Sequence, residues 1–149
     1  MLRKTELMKP KLILRLLLLV LGIHFTSCAQ NGKGTVLLNA DAFEQKLKDA
    51  ASKSVVDVRT PEEFASGHIN GAQNINIYDD NFMTQVAALD KSKPVFVYCK
   101  AGSRSAKAAS MMAQAGFKEV YDLDGGMMAW GNANKPVVMD TPEKPDTYY

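Results

Sequence analysis

Cysteine is scarce: Cys28 and Cys99 are the only two in a chain of 149 residues. At most one intramolecular disulfide can form, so the fold is not built on a disulfide framework. Surplus charge is scarce as well. The chain carries 18 Lys and Arg against 16 Asp and Glu, and five of the basic residues (Arg3, Lys4, Lys9, Lys11, Arg15) but one acidic residue (Glu6) fall in the first 27 positions. The remainder holds 13 basic and 15 acidic residues, a net of −2, which leaves no electrostatic footprint for nucleic acid. The apolar run at 16–23 is too short for a comfortable membrane span. Internal repeats are lacking. Met111, Met112, Met127 and Met128 have no His or Cys at ligand spacing, so they are expected to fill the core, and no metal or cofactor is expected.

What the N-terminus does have is the layout of a secretory signal peptide: a basic start, a short apolar run, then Phe25-Thr26-Ser27-Cys28. The small Thr-Ser pair before a cysteine resembles the lipobox of bacterial lipoproteins. Phe25 stands where that motif usually has Leu, and Arg15 interrupts the apolar region. The resemblance implies cleavage after residue 27 and lipid on Cys28, which would place the domain in the bacterial cell envelope, in the periplasm, on a membrane anchor. Residues 28–34 are small and polar and read as a tether. Lipidation would consume Cys28 and leave Cys99 as the one thiol. A Cys28–Cys99 disulfide stays open only if the leader is processed otherwise.

The chain is organised around Cys99-Lys100-Ala101-Gly102-Ser103-Arg104-Ser105. Before it, residues 94–98 (Pro-Val-Phe-Val-Tyr) read as a short buried strand. After it, residues 106–115 read as a helix with Ala109, Met112 and Ala113 on one face. A cysteine is thus expected where a strand ends, ahead of a helix N-terminus. Free backbone N–H groups and the helix dipole favour an anion there, so the thiol should ionise readily. The competing reading is a buried, inert cysteine. Lys100, Ser103, Arg104 and Ser105 argue against it by making the surroundings polar and cationic.

The rest of the chain alternates strands and helices. Strands are expected at 36–38, 54–58, 72–77 and 120–121. Asn39 caps a helix to about residue 51 with Phe43 and Leu47 on its apolar face. Thr60, Pro61 and Glu63 form a helix start with a capping box, and Gly67 ends that helix. A further helix spans 79–89, with Phe82, Val86 and Leu89 in register. Asp124-Gly125-Gly126 turns into a last short helix holding Trp130, and the Pro-rich tail from Lys135 runs extended or disordered. This alternation implies an α/β fold: a five-stranded, mainly parallel sheet with helices on both faces over 35–134, and a tail at 135–149. In such sheets ligands bind at the carboxyl ends of strands, which is where Cys99 falls.

Three stretches together resemble the rhodanese-like domain family. They are Asp57-Val58-Arg59 with Glu63-Phe64 and Gly67-His68-Ile69-Asn70-Gly71-Ala72; then the segment 97–105; then Gly116-Phe117 through Val120 to Asp124-Gly125-Gly126 and Trp130. Asn70 stands where Pro is frequent. The resemblance implies that Cys99 carries a persulfide and that Lys100, Ala101, Gly102, Ser103 and Arg104 cradle it, with their amides forming an anion nest. It implies a sulfurtransferase that takes sulfur from thiosulfate or a similar small sulfur anion and passes it to cyanide or a thiol. It also suggests a Glu63–Arg59 pair, with helix capping as the alternative role for Glu63, and a structural role for His68. Asp57 is expected to anchor loops. Ser103 and Ser105 either contact substrate or cap the following helix.

Two other functions compete. Phosphatases and arsenate reductases on this fold resemble a cysteine followed by five residues and an arginine, whereas four residues separate Cys99 from Arg104. The shorter loop suits a sulfur atom over a phosphoryl group. The other is a non-enzymatic tethered sulfur carrier or binding module serving an envelope protein.

Overall fold

A computed structural model describes residues 34–139; the leader, Cys28 and most of the tether lie outside the described residues, as does the tail beyond 139. Five strands form one sheet: β1 (Thr35–Leu38), β2 (Ser54–Asp57), β3 (Gln73–Asn74), β4 (Val95–Tyr98) and β5 (Val120–Leu123). Their order is β1-β5-β4-β2-β3, and every pairing between them is parallel. The helices are α1 (Ala40–Asp49), α2 (Pro61–Ala65), α3 (Phe82–Ala87), α4 (Ser103–Gln114) and α5 (Gly126–Asn132). The α/β fold expected from the sequence is the fold observed.

Period-two alternation on the central strand builds two cores, one on each face of the sheet. Val95 and Val97 of β4 pack with Val86, Ala108, Ala109, Met112 and Phe117 beneath α3 and α4. Phe96 and Tyr98 face the other way, toward Phe43 and Leu47 of α1 and Trp130 of α5. Phe43 meets Phe96 and Trp130 edge-on, with ring centroids 5.3 and 6.2 Å apart. Cys99 continues the parity of Val95 and Val97 and joins the α3/α4 core.

The caps follow the sequence. The Asn39 side chain accepts from the Ala42 amide at 2.9 Å, and Thr60 and Glu63 complete their reciprocal box. Gly116 adopts φ +97° and lets the Phe117 amide reach the Met112 carbonyl, closing α4. Several boundaries differ from expectation. Strand β3 holds two residues rather than six, because it borders only β2 at the sheet edge. Helix α3 spans six residues instead of eleven, since Asp79, Asn76 and Asn81 close turns ahead of it. Helix α4 begins at Ser103, three residues early, so Arg104 and Ser105 lie in its first turn.

The tail is pinned as far as it is described. The Trp130 indole donates to the Pro136 carbonyl at 2.9 Å, Lys135 bridges Asp41 and Glu44, and Val138 exchanges two backbone hydrogen bonds with His68. The methionines divide: Met112 is buried, Met111 and Met127 pack at the margins of the cores, and Met128 is exposed, so the core reading fails for Met128.

Candidate active site

Strand β4 ends at Tyr98, and the chain turns sharply into α4 through Cys99–Gly102. Gly102 takes φ +97°, which a side chain would resist, and its amide donates to Cys99 Sγ at 3.1 Å. The first two residues of the loop are held from outside. The Met127 amide donates to the Cys99 carbonyl at 2.8 Å, and the Met128 amide donates to the Lys100 carbonyl at 3.0 Å. Because each peptide is planar and trans, fixing those carbonyls outward turns the Lys100 and Ala101 N–H groups the other way. The start of α5 therefore sets the direction of the amides around the sulfur. Gly126 makes that approach feasible: a Cβ there would overlap the Cys99 carbonyl oxygen and come within 2.8 Å of the Lys100 carbonyl carbon.

Cys99 is 1 % exposed, so the expectation that polar, cationic surroundings argue against a buried cysteine needs correcting. It is buried, yet what buries it includes hydrogen-bond donors. Burial pushes the Cys99 thiol up. The Ser105 hydroxyl and the amides of Ser105, Ala101 and Gly102 pull it down by more, and the net direction is downward. Ser105 itself is fully buried and donates its hydroxyl to the Gly102 carbonyl at 3.0 Å.

Arg104 is fixed by Glu63 across two hydrogen bonds of 2.7 and 2.9 Å, a bidentate pair joining α2 to α4. The suggested Glu63–Arg59 pair is replaced by this one, while Glu63 keeps its capping role. The Arg104 guanidinium beside it holds the Glu63 carboxyl down at about 2. Arg104 also lies over the exposed Tyr78 ring, 5.8 Å from its centroid, and near enough to Cys99 to sense its charge. Lys100, Ala101 and Ser103 are exposed around the mouth of the loop.

Arg59 turns inward instead. Its guanidinium clasps the buried Asp57 carboxylate at 2.6–3.0 Å and donates to the Gly67 carbonyl at 2.7 Å. Tyr98, whose hydroxyl receives the Ile69 amide at 3.0 Å, lies beneath the same guanidinium. Asp57 thus anchors loops at the carboxyl end of the sheet. His68 stacks on Phe64 at 3.7 Å. Sequence reasoning had not singled out the Met127 and Met128 amides, Asp122 or Tyr78. The Gly125-Gly126 doublet signalled only the first of these.

A parallel sheet with an activated cysteine at the carboxyl end of its central strand defines a thiol-dependent transferase or hydrolase. The rhodanese-like domain pattern matches residues 39–133, and the chain belongs to that family. It is 38% identical over 89 residues to the thiosulfate sulfurtransferase GlpE of Shewanella oneidensis, covering 60% of this chain and 86% of that one. It is 42% identical over 97 residues to the GlpE of Pseudomonas aeruginosa, covering 61% and 86%. Among solved structures, a rhodanese-related protein from Thermoplasma volcanium has a TM-score of 0.63 at 30% identity, covering 70% of this chain and 99% of the other. A rhodanese-like domain protein from Staphylococcus aureus has a TM-score of 0.62 at 28% identity, covering 71% and 99%.

Proposed function

We propose that this rhodanese-type sulfurtransferase works by covalent sulfur transfer through Cys99, with thiosulfate or a similar sulfur anion as donor. The observation that carries the reading is the sulfur held among the Ala101, Gly102 and Ser105 donors with its thiol lowered toward the ionised form. The Cys99 thiolate attacks the outer sulfur of thiosulfate. A sulfur–sulfur bond forms at Cys99, the bond to the sulfonate breaks, and sulfite leaves with the electron pair. Cyanide or a thiolate then attacks the terminal sulfur, leaves as thiocyanate or a persulfide, and returns the cysteine thiolate. Charge is conserved in both steps, and no general base is required.

The same amides serve both resting states, since thiolate and persulfide are both monoanions. The exposed Lys100 supplies mobile positive charge at the mouth for the incoming dianion. Arg104, oriented by Glu63, supplies fixed positive charge near the sulfur. The leader and Cys28 support an exported, lipid-anchored form of the enzyme in the periplasm, whose acceptor would be an envelope thiol or protein.

Initial rates measured over a matrix of thiosulfate and cyanide concentrations test the two-step scheme. Parallel double-reciprocal lines, with a burst of sulfite before acceptor is added, are expected. Intersecting lines with no sulfite burst would rule out the covalent intermediate. Cys99→Ser should abolish turnover.

A further inference from the structure

One carboxylate has no place in this scheme. Asp122 lies mid-strand on β5, 1 % exposed, and its Oδ1 has no hydrogen-bond partner among the described residues. Its register neighbour on β4 is Val97, and its parity on β5 with Val120 turns it to the α3/α4 core, the face to which Cys99 belongs. An ionised carboxylate with one oxygen unpartnered is costly in such a place, and burial pushes its pKa up to about 6. One side chain bears on both it and the sulfur. Ser105, fully buried on the face of α4 that carries Ala108, Ala109 and Met112 into the same core, draws both the Asp122 carboxyl and the Cys99 thiol toward their ionised forms, while its own hydroxyl is bonded to the Gly102 carbonyl.

A serine hydroxyl has a single proton to donate and lone pairs to accept with. In the structure that proton goes to the Gly102 carbonyl at 3.0 Å; the Cys99 sulfur and the Asp122 carboxylate are the two acceptors it would serve on turning away. When Asp122 is protonated, its O–H can donate to Ser105 Oγ, which leaves the serine proton for the sulfur. When Asp122 is ionised, it competes for that proton, which disfavours the Cys99 anion.

We propose that Asp122 is a positioning residue for the sulfur chemistry, acting through Ser105 so that the ionisation of Cys99 depends on whether Asp122 holds its proton. No proton is consumed, since the hydroxyl only changes the partner it points to. The other charged group bearing on Asp122 is Asp124, which raises it further from just beyond the end of the same strand; Ser105 and the Leu123 amide lower it. The coupling is reciprocal: forming the thiolate makes Asp122 harder to ionise. The proposal rests on Cys99 being the reactive sulfur, but it concerns the thiol itself and not the donor.

The test is the pH profile of Cys99 alkylation by iodoacetamide, which needs no sulfur donor. The wild-type chain should titrate in a broadened, two-step curve. Asp122→Asn, whose amide donates to Ser105 at every pH, should give a single step displaced to lower pH. Ser105→Ala should give a single step displaced to higher pH, and adding Asp122→Asn to it should move that step little. Superimposable wild-type and Asp122→Asn curves would overturn the proposal, as would an Asp122→Asn shift of undiminished size in the Ser105→Ala background. Should Asp122→Asn not fold, a two-step curve retained by Ser105→Ala alone contradicts it. A carboxyl that matters only for packing would change the melting temperature and leave these curves in place. Sulfur transfer fails or succeeds separately, in the sulfite burst.

Discussion

At Cys99 two influences oppose each other: burial, which favours the neutral thiol, and hydrogen bonds from Ser105, Ala101 and Gly102, which favour the anion. The donors prevail. Alkylation of Cys99 is therefore expected to titrate below the ordinary cysteine value of about 8.5. Ser105→Ala removes one donor and should raise the titration, measurable by thiolate absorbance. Glu63 offers a second check at this scale. Its carboxyl orients Arg104, so Glu63→Gln should lower kcat/KM for an anionic donor about tenfold, with the loss read from steady-state kinetics. The candidate-site residues that the structure brings together, Cys99, Gly102 and Arg104, were legible in the sequence because they are close in the chain. The partner of Arg104 was not, since Glu63 lies 41 positions away and also has a local role as a capping residue that accounts for it fully.

Among the elements, the contact between the start of α5 and the cysteine loop decides the site's geometry. Gly126 sits where its neighbour is backbone, which cannot swing aside as a flexible side chain would. Gly126→Ala should therefore displace the loop, lower sulfur transfer by about 100-fold or more and destabilise the fold by about 1–3 kcal/mol. Activity and urea unfolding of the same variant check both halves. A fully active Gly126→Ala would show that the Met127 and Met128 amides do not set the loop. The glycine doublet was visible as a turn in the sequence. Its contact with the loop was not, because it joins elements that follow β4 and β5, and only the parallel pairing of those strands brings their carboxyl ends together. The early start of α4 has a similar cause: Ser103 and Ser105 have modest helix propensity, and the Gly102 conformation with the packing of Ser105 starts the helix there.

Over the whole molecule two of the perturbed carboxyls, Glu63 and Asp122, pull the stability in opposite directions. Glu63 has its folded pKa lowered from 4.5 to about 2, so its contribution is present above the unfolded value and is lost as pH falls through about 2. The pair is partly solvated, which limits that contribution to about 1 kcal/mol or less, and Glu63→Gln should lose its effect on the melting temperature in strong acid. Asp122 has its folded pKa raised from 3.8 to about 6, so the folded state holds its proton longer than the unfolded one. Stability should fall as pH rises between those values, and Asp122→Asn should flatten that slope, as melting curves across the range would show. The overall architecture was the most legible part of the sequence. Alternating β-branched runs and capped helices fix a parallel sheet, and strand parity sends Cys99 to one face. The edge strand β3 was less so, because its extent depends on pairing and not on its own residues.

Cys99 as a sulfur carrier is the claim on which the rest depends, and the mass of the intact protein tests it most directly. Incubation with thiosulfate should add the mass of one sulfur atom, and cyanide should then remove it with formation of thiocyanate. Cys99→Ser should show neither change. An unaltered mass after thiosulfate, polysulfide and mercaptopyruvate alike, with Cys99 reduced and the chain folded, would contradict the account.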